Sequence, residues 1–346
     1  MPRIGLPAAS AKPSKKTSSG GGAGVSPAAM LRVALGGTAF RLVSALVASF
    51  CIALVGKPAA TVETTSFGLY PILTHLVDQW IGRWLASPVD AALVVSWLAF
   101  AGAMVMLLKV AALDVDGDQA EGAVLLAAVF PFAVIFGRHD GDALFLVAAL
   151  GAFWGFRRQQ WIVGGLCGAA ATASMPTGIL ILPALAWIGF REPGAKRLWV
   201  VAALLLAVAG FGAYLSYMYY RAGPPGGWNE AMARWGFQLG QAPWLSLQRV
   251  FTSHPGPAET MNGVVTLIAL ASVPFVWWKL DGGYAIYMLA MLWLPLTSGK
   301  YDGLGRTCAL LFPQFVLIAR IPWRIAFVGL AIVSAMFYAL ALATSG

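Results

Sequence analysis

Long apolar runs separated by short polar breaks dominate the chain. They fall at about 34–55, 89–108, 122–136, 143–156, 161–173, 177–190, 198–219, 263–278, 284–297, 307–319 and 325–343. The runs are continuous rather than alternating, which predicts helices and not the strands of an outer-membrane barrel. Several approach the roughly 20 residues that cross a bilayer as a helix. The expected fold is therefore an all-α, polytopic membrane bundle.

The pair 161–173 and 177–190 reads either as one 30-residue helix or as two short ones. Pro176 disfavours helix at the residue before it, and Gly178 weakens the next turn. A break at Ser174-Met175-Pro176 is predicted. Charge supports the same choice. With the break as an outer turn, the inner segments carry fourteen Lys and Arg, among them Arg157, Arg158, Arg191, Lys196, Arg320 and Arg324, against eight outside. The positive-inside rule then fixes the alternation, giving about 9–11 membrane segments, a cytoplasmic N-terminus and an external C-terminus.

Two polar-apolar mixtures interrupt the runs. Residues 67–85 combine Leu, Ile and Trp with His75, Asp78 and Arg83, and residues 228–251 combine three Trp with Glu230, Arg234 and Arg249. Each predicts an amphipathic helix lying in the membrane interface, within outer-face segments of about 56–88 and 220–262. Anchoring Trp residues of an interfacial belt account for most of these aromatics. Residues 1–29 are rich in Gly, Ser, Pro and Lys and predict a disordered basic cytoplasmic tail. The multi-pass domain would occupy 30–346.

Composition sharpens the class. Of 346 residues, 59% are hydrophobic and 11% charged, against about 25% charged in soluble domains. Too little charge remains to coat a soluble surface. The net charge of +9 is accounted for by inner loops and the tail facing anionic lipid, so no nucleic-acid partner is expected. Cys51, Cys167 and Cys308 lie far apart in apolar runs without metal-ligand spacing.

Ionised residues near a bilayer are expensive, so they mark candidate chemistry. On the outer side stand Arg138-His139-Asp140-Gly141-Asp142 and Ser298-Gly299-Lys300-Tyr301-Asp302-Gly303-Leu304-Gly305-Arg306. The first offers carboxylates that can orient a hydroxyl, hold a metal or pair with a cation. The second offers a point charge and a forked donor for phosphate. Solvated turns with local pairing and snorkelling cations explain the same residues without chemistry. The run Asp114 to Glu121 lacks the bidentate Glu of an EF-hand, since position 125 is Leu. It reads as a solvated loop whose acids favour the next helix start. No nucleotide, zinc-protease or hydrolase motif occurs.

The order of these segments resembles the PIG-V family of membrane mannosyltransferases, over about residues 30–325. Phe67-Gly68-Leu69-Tyr70-Pro71 is similar to the family's FFPLYP. Phe130-Pro131-Phe132-Ala133 through Asp142-Ala143-Leu144-Phe145 resembles FP-x-(A/S)-x-F followed by Y-(S/T)-E-S-L-F. Arg157-Arg158-Gln159-Gln160-Trp161 and Ala173-Ser174-Met175-Pro176-Thr177-Gly178 resemble RR-x-x-W and A-x-R-P-T-G. Pro243-Trp244 and Gly305-Arg306 with Phe312-Pro313 complete the series.

The resemblance implies a GT-C-type bundle that moves mannose from a polyprenyl-phosphate sugar to a lipid-linked or cell-envelope acceptor at the outer face of a bacterial inner membrane. It places Asp142 at the motif's Glu and Arg306 at its Arg. His139, Asp140 and Lys300 become candidate substrate-binding residues, and no cofactor is required, although the acids leave room for a divalent cation. The family's Trp-Asp element of the first outer loop has no counterpart, and Glu63 is the sole acid there. Asp140 replaces a Tyr and Met175 an Arg. Three readings follow: Glu63 and Asp142 as catalytic carboxylates, a catalytically silent membrane subunit serving a partner, or different donor chemistry. A transporter ranks last, because the acids sit at outer loop ends rather than at the midplane.

Overall fold

The computed structural model describes residues 68–81, 88–138, 140–191, 197–222, 242–252, 256–297 and 303–344. Every regular element among them is helical. In chain order these are α1 (Leu69–Ile81), α2 (Pro88–Ala111), α3 (Gly117–Ala128), α4 (Asp142–Arg157), α5 (Trp161–Ser174), α6 (Leu182–Arg191) and α7 (Arg197–Ala222). They continue as α8 (Pro243–Thr252), α9 (Pro257–Lys279), α10 (Gly282–Thr297), α11 (Leu304–Leu310), α12 (Phe312–Ile318) and α13 (Trp323–Thr344). Short 3-10 turns, Ala133–Gly137 and Pro176–Ile181, precede α4 and α6.

Among the described residues, three helices have the length and apolar character to cross a membrane: Ala91–Ala111, Arg197–Tyr217 and Glu259–Lys279, 21 residues each. At 1.5 Å per residue each is roughly 32 Å long. Other apolar helices are shorter, including Trp161–Ser174 and Gly282–Thr297. Most of the expected runs therefore fold as helices, yet many fall short of a full crossing.

Prolines mark two of the helix breaks. The chain breaks where Pro176 predicts: α5 stops at Ser174, and Met175 is fully extended at φ −156°, ψ 156°. The run 307–319, expected as one segment, is instead divided into α11 and α12 at Leu311. Pro313 has no N–H to continue the ladder and would press on the preceding turn. The carbonyls left over are taken by side chains. Gln314 Nε2 donates to Cys308 O at 2.6 Å, and Tyr287 Oη donates to Leu310 O at 2.9 Å.

Small residues let α5 lie between α4 and α7. A Cβ on Gly155 would meet Gly164 Cα at 2.6 Å, and one on Gly168 would meet Ala207 Cβ at 2.8 Å. Backbone approach of this kind maximises dispersion contact between helices. Farther in, Phe153 of α4 meets Tyr284, Tyr287 and Phe312 edge-on, with centroids 5.2–5.6 Å apart. The outward faces stay apolar: Leu198, Leu205 and Val208 of α7 and Ile162 and Leu166 of α5 are all exposed.

Polar contacts gather at the two ends of α4. At its C-terminal end Arg157 Nη2 donates to Asp114 Oδ1 at 2.9 Å, and Arg157 Nη1 donates to Tyr284 Oη at 3.3 Å. Arg320 Nη2 donates to Asp114 O at 2.8 Å. This corrects the solvated reading at Asp114, whose side chain is 8% exposed and ion-paired, while Asp116 and Asp118 are exposed as expected. Asp116 does act at the helix start, where Oδ1 accepts from Gln119 N.

Candidate functional site

The N-terminal end of α4 holds the second polar group. After α3, Pro131 and the 3-10 turn redirect the chain, so that Arg138 to Gly141 lead directly into α4. Asp142 is the first residue of that helix, just before the apolar run 143–156, and is 1% exposed. A carboxylate there sits favourably with the helix dipole. Asp140 turns back on its own loop, with Oδ1 accepting from Gly141 N at 2.8 Å.

Arg306, in the first turn of α11, meets both acids. Its Nη2 donates to Asp140 Oδ2 at 2.5 Å and to Asp142 Oδ1 at 3.0 Å, while Nε lies 2.8 Å from Asp142 Oδ2. That last approach is a charge contact without hydrogen-bond alignment, and among the described residues no hydrogen-bond donor meets the buried Oδ2. The trio thus couples one guanidinium to two carboxylates. Arg306 keeps 32% of its side-chain surface exposed, so the group opens on that side.

Burial pushes the Asp142 carboxyl up from 3.8 to about 7; Arg306 opposes the shift and the charge on Asp140 adds to it. For Arg306 burial works against the charge, but Asp142 and Asp140 outweigh it and hold the guanidinium charged. Asp142 is therefore a carboxylate poised to take a proton, and Arg306 is a fixed cation.

Two supports come from neighbouring helices. Tyr70 Oη donates to Ala92 O at 2.8 Å and lies 2.9 Å from Ser96 Oγ; Ser96 Oγ in turn donates to Arg138 O at 2.8 Å. Burial raises the Tyr70 hydroxyl to about 12, so it stays a donor. Ser96 thus ties α2 to the loop carrying Asp140. On the other side Asn262 Oδ1 accepts from Gly305 N at 2.7 Å. The signal for Ser96 was a polar residue inside an apolar run, and for Asn262 one at the edge of the run 263–278; either must find a partner when buried. Gly68 closes the Tyr70 end. It adopts φ +83°, and a Cβ there would collide with Ala173 O.

Of the sequence candidates, Asp140, Asp142 and Arg306 converge. Glu63, His139 and Lys300 lie outside the described residues. On α1 His75 is exposed and Asp78 half-buried, and His75 Nε2 and Gln79 Nε2 are 2.9 Å apart. Among the described residues no three His, Cys, Asp or Glu gather as a metal-ligand set. Among the described residues, the two acids that come together here, Asp140 and Asp142, both turn oxygens toward Arg306.

The chain matches no family model, no curated protein and no solved structure.

Proposed function

We propose that this chain is a multi-pass membrane glycosyltransferase of GT-C type. It transfers a hexose, mannose in the first instance, from a polyprenyl-phosphate donor to a lipid-linked or cell-envelope acceptor at the outer face of a bacterial inner membrane. The membrane part is supported by exposed apolar helix faces too extensive for a water-facing surface. Glycine-mediated helix contacts are a further support. So is the separation of the two polar groups by the length of α4, roughly 23 Å.

One observation carries the chemistry: a buried carboxylate, Asp142, held against a guanidinium, with one oxygen that accepts no hydrogen bond among the described residues. In this reading Asp142 Oδ2 takes the acceptor hydroxyl proton as the new C–O bond forms. Arg306 stabilises the charge growing on the departing polyprenyl phosphate. Asp140 keeps Arg306 oriented. Glu63 is the second candidate base, with His139 and Lys300 placed by sequence to contact sugar and phosphate. No cofactor enters.

The test is transfer from labelled polyprenyl-phosphate mannose by the purified full chain in lipid vesicles. Asp142→Asn and Glu63→Gln should each remove transfer if both acids act. Loss with only one assigns the base. If the native chain transfers nothing to any lipid extract, the silent-subunit reading stands. That reading has its own support, because both carboxylates already neutralise Arg306, as a purely structural ion pair would.

A further inference from the structure

Arg306 stands on a helix of only seven residues, Leu304–Leu310. So short a helix has little stability of its own and takes its position from its neighbours. Its N-cap residue is Gly303, which has no side chain to satisfy the first N–H groups. The acceptor comes instead from another helix. Asn262 of α9, 6% exposed, accepts from Gly305 N, the second residue of α11, at 2.7 Å. An N-cap side chain ordinarily serves this N–H from the adjacent sequence. Here it is served from 43 residues away.

The fit is close. A Cβ on Gly305 would meet Asn262 Oδ1 at 2.5 Å and collide with the Phe132 ring. One turn farther along both helices, Thr266 Oγ1 and Cys308 Sγ are 3.7 Å apart. Two polar rungs therefore join α9 to α11, the first immediately before Arg306 and the second two residues after it. The next side chain beyond the first rung reaches Asp140 and Asp142.

We infer that Asn262 is a positioning residue: by capping α11 across the bundle, it sets the distance from Arg306 to Asp142. The assignment rests on the proposed role of that ion pair, but its physical content does not depend on transfer. Among the described residues, the charged groups facing Asp142 are Arg306, Asp140 and Arg138. Of these, the one that Asn262 moves is Arg306. Loss of the cap lets the start of α11 relax, Arg306 draws back, and the Asp142 carboxyl becomes harder to ionise.

The readout is the infrared carboxyl band of Asp142, titrated in the full chain in lipid nanodiscs and assigned by its disappearance in Asp142→Asn. Asn262→Ala should strengthen proton binding at Asp142 at least tenfold. Asn262→Ser, which keeps an oxygen nearby and disturbs packing less, should shift it in the same direction by a smaller factor. Thr266→Val removes the other rung and should leave the titration within twofold of native. Either folded Asn262 variant titrating like the native chain overturns the assignment. So does Thr266→Val shifting it as far as Asn262→Ala, because the effect would then belong to helix register. In the transfer assay Asn262→Ala should lower turnover about tenfold with little change in donor KM. A native chain without transfer would remove the enzyme reading and leave the titration result standing.

Discussion

Arg306 and Asp142, 164 residues apart in the chain, face each other through two contacts, Nε to Oδ2 at 2.8 Å and Nη2 to Oδ1 at 3.0 Å. This fork binds the start of α11 to the start of α4. The carboxylate is almost wholly buried, so the pair cannot rely on water to replace a missing partner.

Arg306→Met should therefore destabilise the protein by roughly 3 kcal/mol, since two carboxylates lose their cation. Adding Asp142→Asn should return part of that loss, with a coupling of about 1–3 kcal/mol between the two sites. Denaturant unfolding of the two single variants and the double variant in detergent measures it. Strict additivity would mean that the two residues do not act as a pair.

The Asp142 carboxyl is raised from 3.8 to about 7. Its folded value lies above its unfolded value, so the native state binds the proton more tightly. Its contribution to stability is fully present below about 4 and is lost as pH rises through about 7. Unfolding between pH 4 and 8 should show stability falling over this window, with a flatter slope in Asp142→Asn. As a base, the same group should make transfer rise toward a plateau above pH 7.

Gly68 has φ +83° and lies against Ala173 O. Gly68→Ala adds both backbone strain and overpacking, and should cost roughly 2–5 kcal/mol. A thermal melt close to native would show that the segment before α1 can move aside.

Gln159 is the opposite case. It has φ +55° and sits after α4, where Gln160 N donates to Gly155 O and Gln159 N donates to Phe156 O. That is a Schellman ending with Gln where Gly is preferred. Gln159→Gly should stabilise the protein by about 1 kcal/mol and raise its melting temperature.

Gly117 and Gly303 both have open space where a Cβ would stand. Cysteines placed there report sidedness without disturbing packing. In whole cells an impermeant maleimide should label Gly303→Cys but not Gly117→Cys, after subtracting label taken by the native chain. Inverted vesicles should give the reverse. Equal labelling of both from one side would contradict the alternation derived from charge.

The three converging site residues were legible because charge is scarce in this sequence, so each cluster stood out. The break before Pro176 was legible for a local reason, the missing N–H and its steric demand. What stayed hidden was long-range. Asp114 looked solvated because its partner, Arg157, is 43 residues away. The roles of Ser96 and Asn262 had no local sign, since nothing nearby in sequence says which backbone group each will meet. The division at Leu311 depended on Pro313 but also on Tyr287 and Gln314 arriving to satisfy the freed carbonyls.

Helix α4 carries an ionic partner at each end, Asp142 for Arg306 and Arg157 for Asp114. Inserting or deleting one residue between them would swing one end by about 100° relative to the other. Neither partner could follow, because each belongs to a different part of the chain. The residue count of this helix is thus as tightly specified as its side chains, and length variation should be confined to the connections around it.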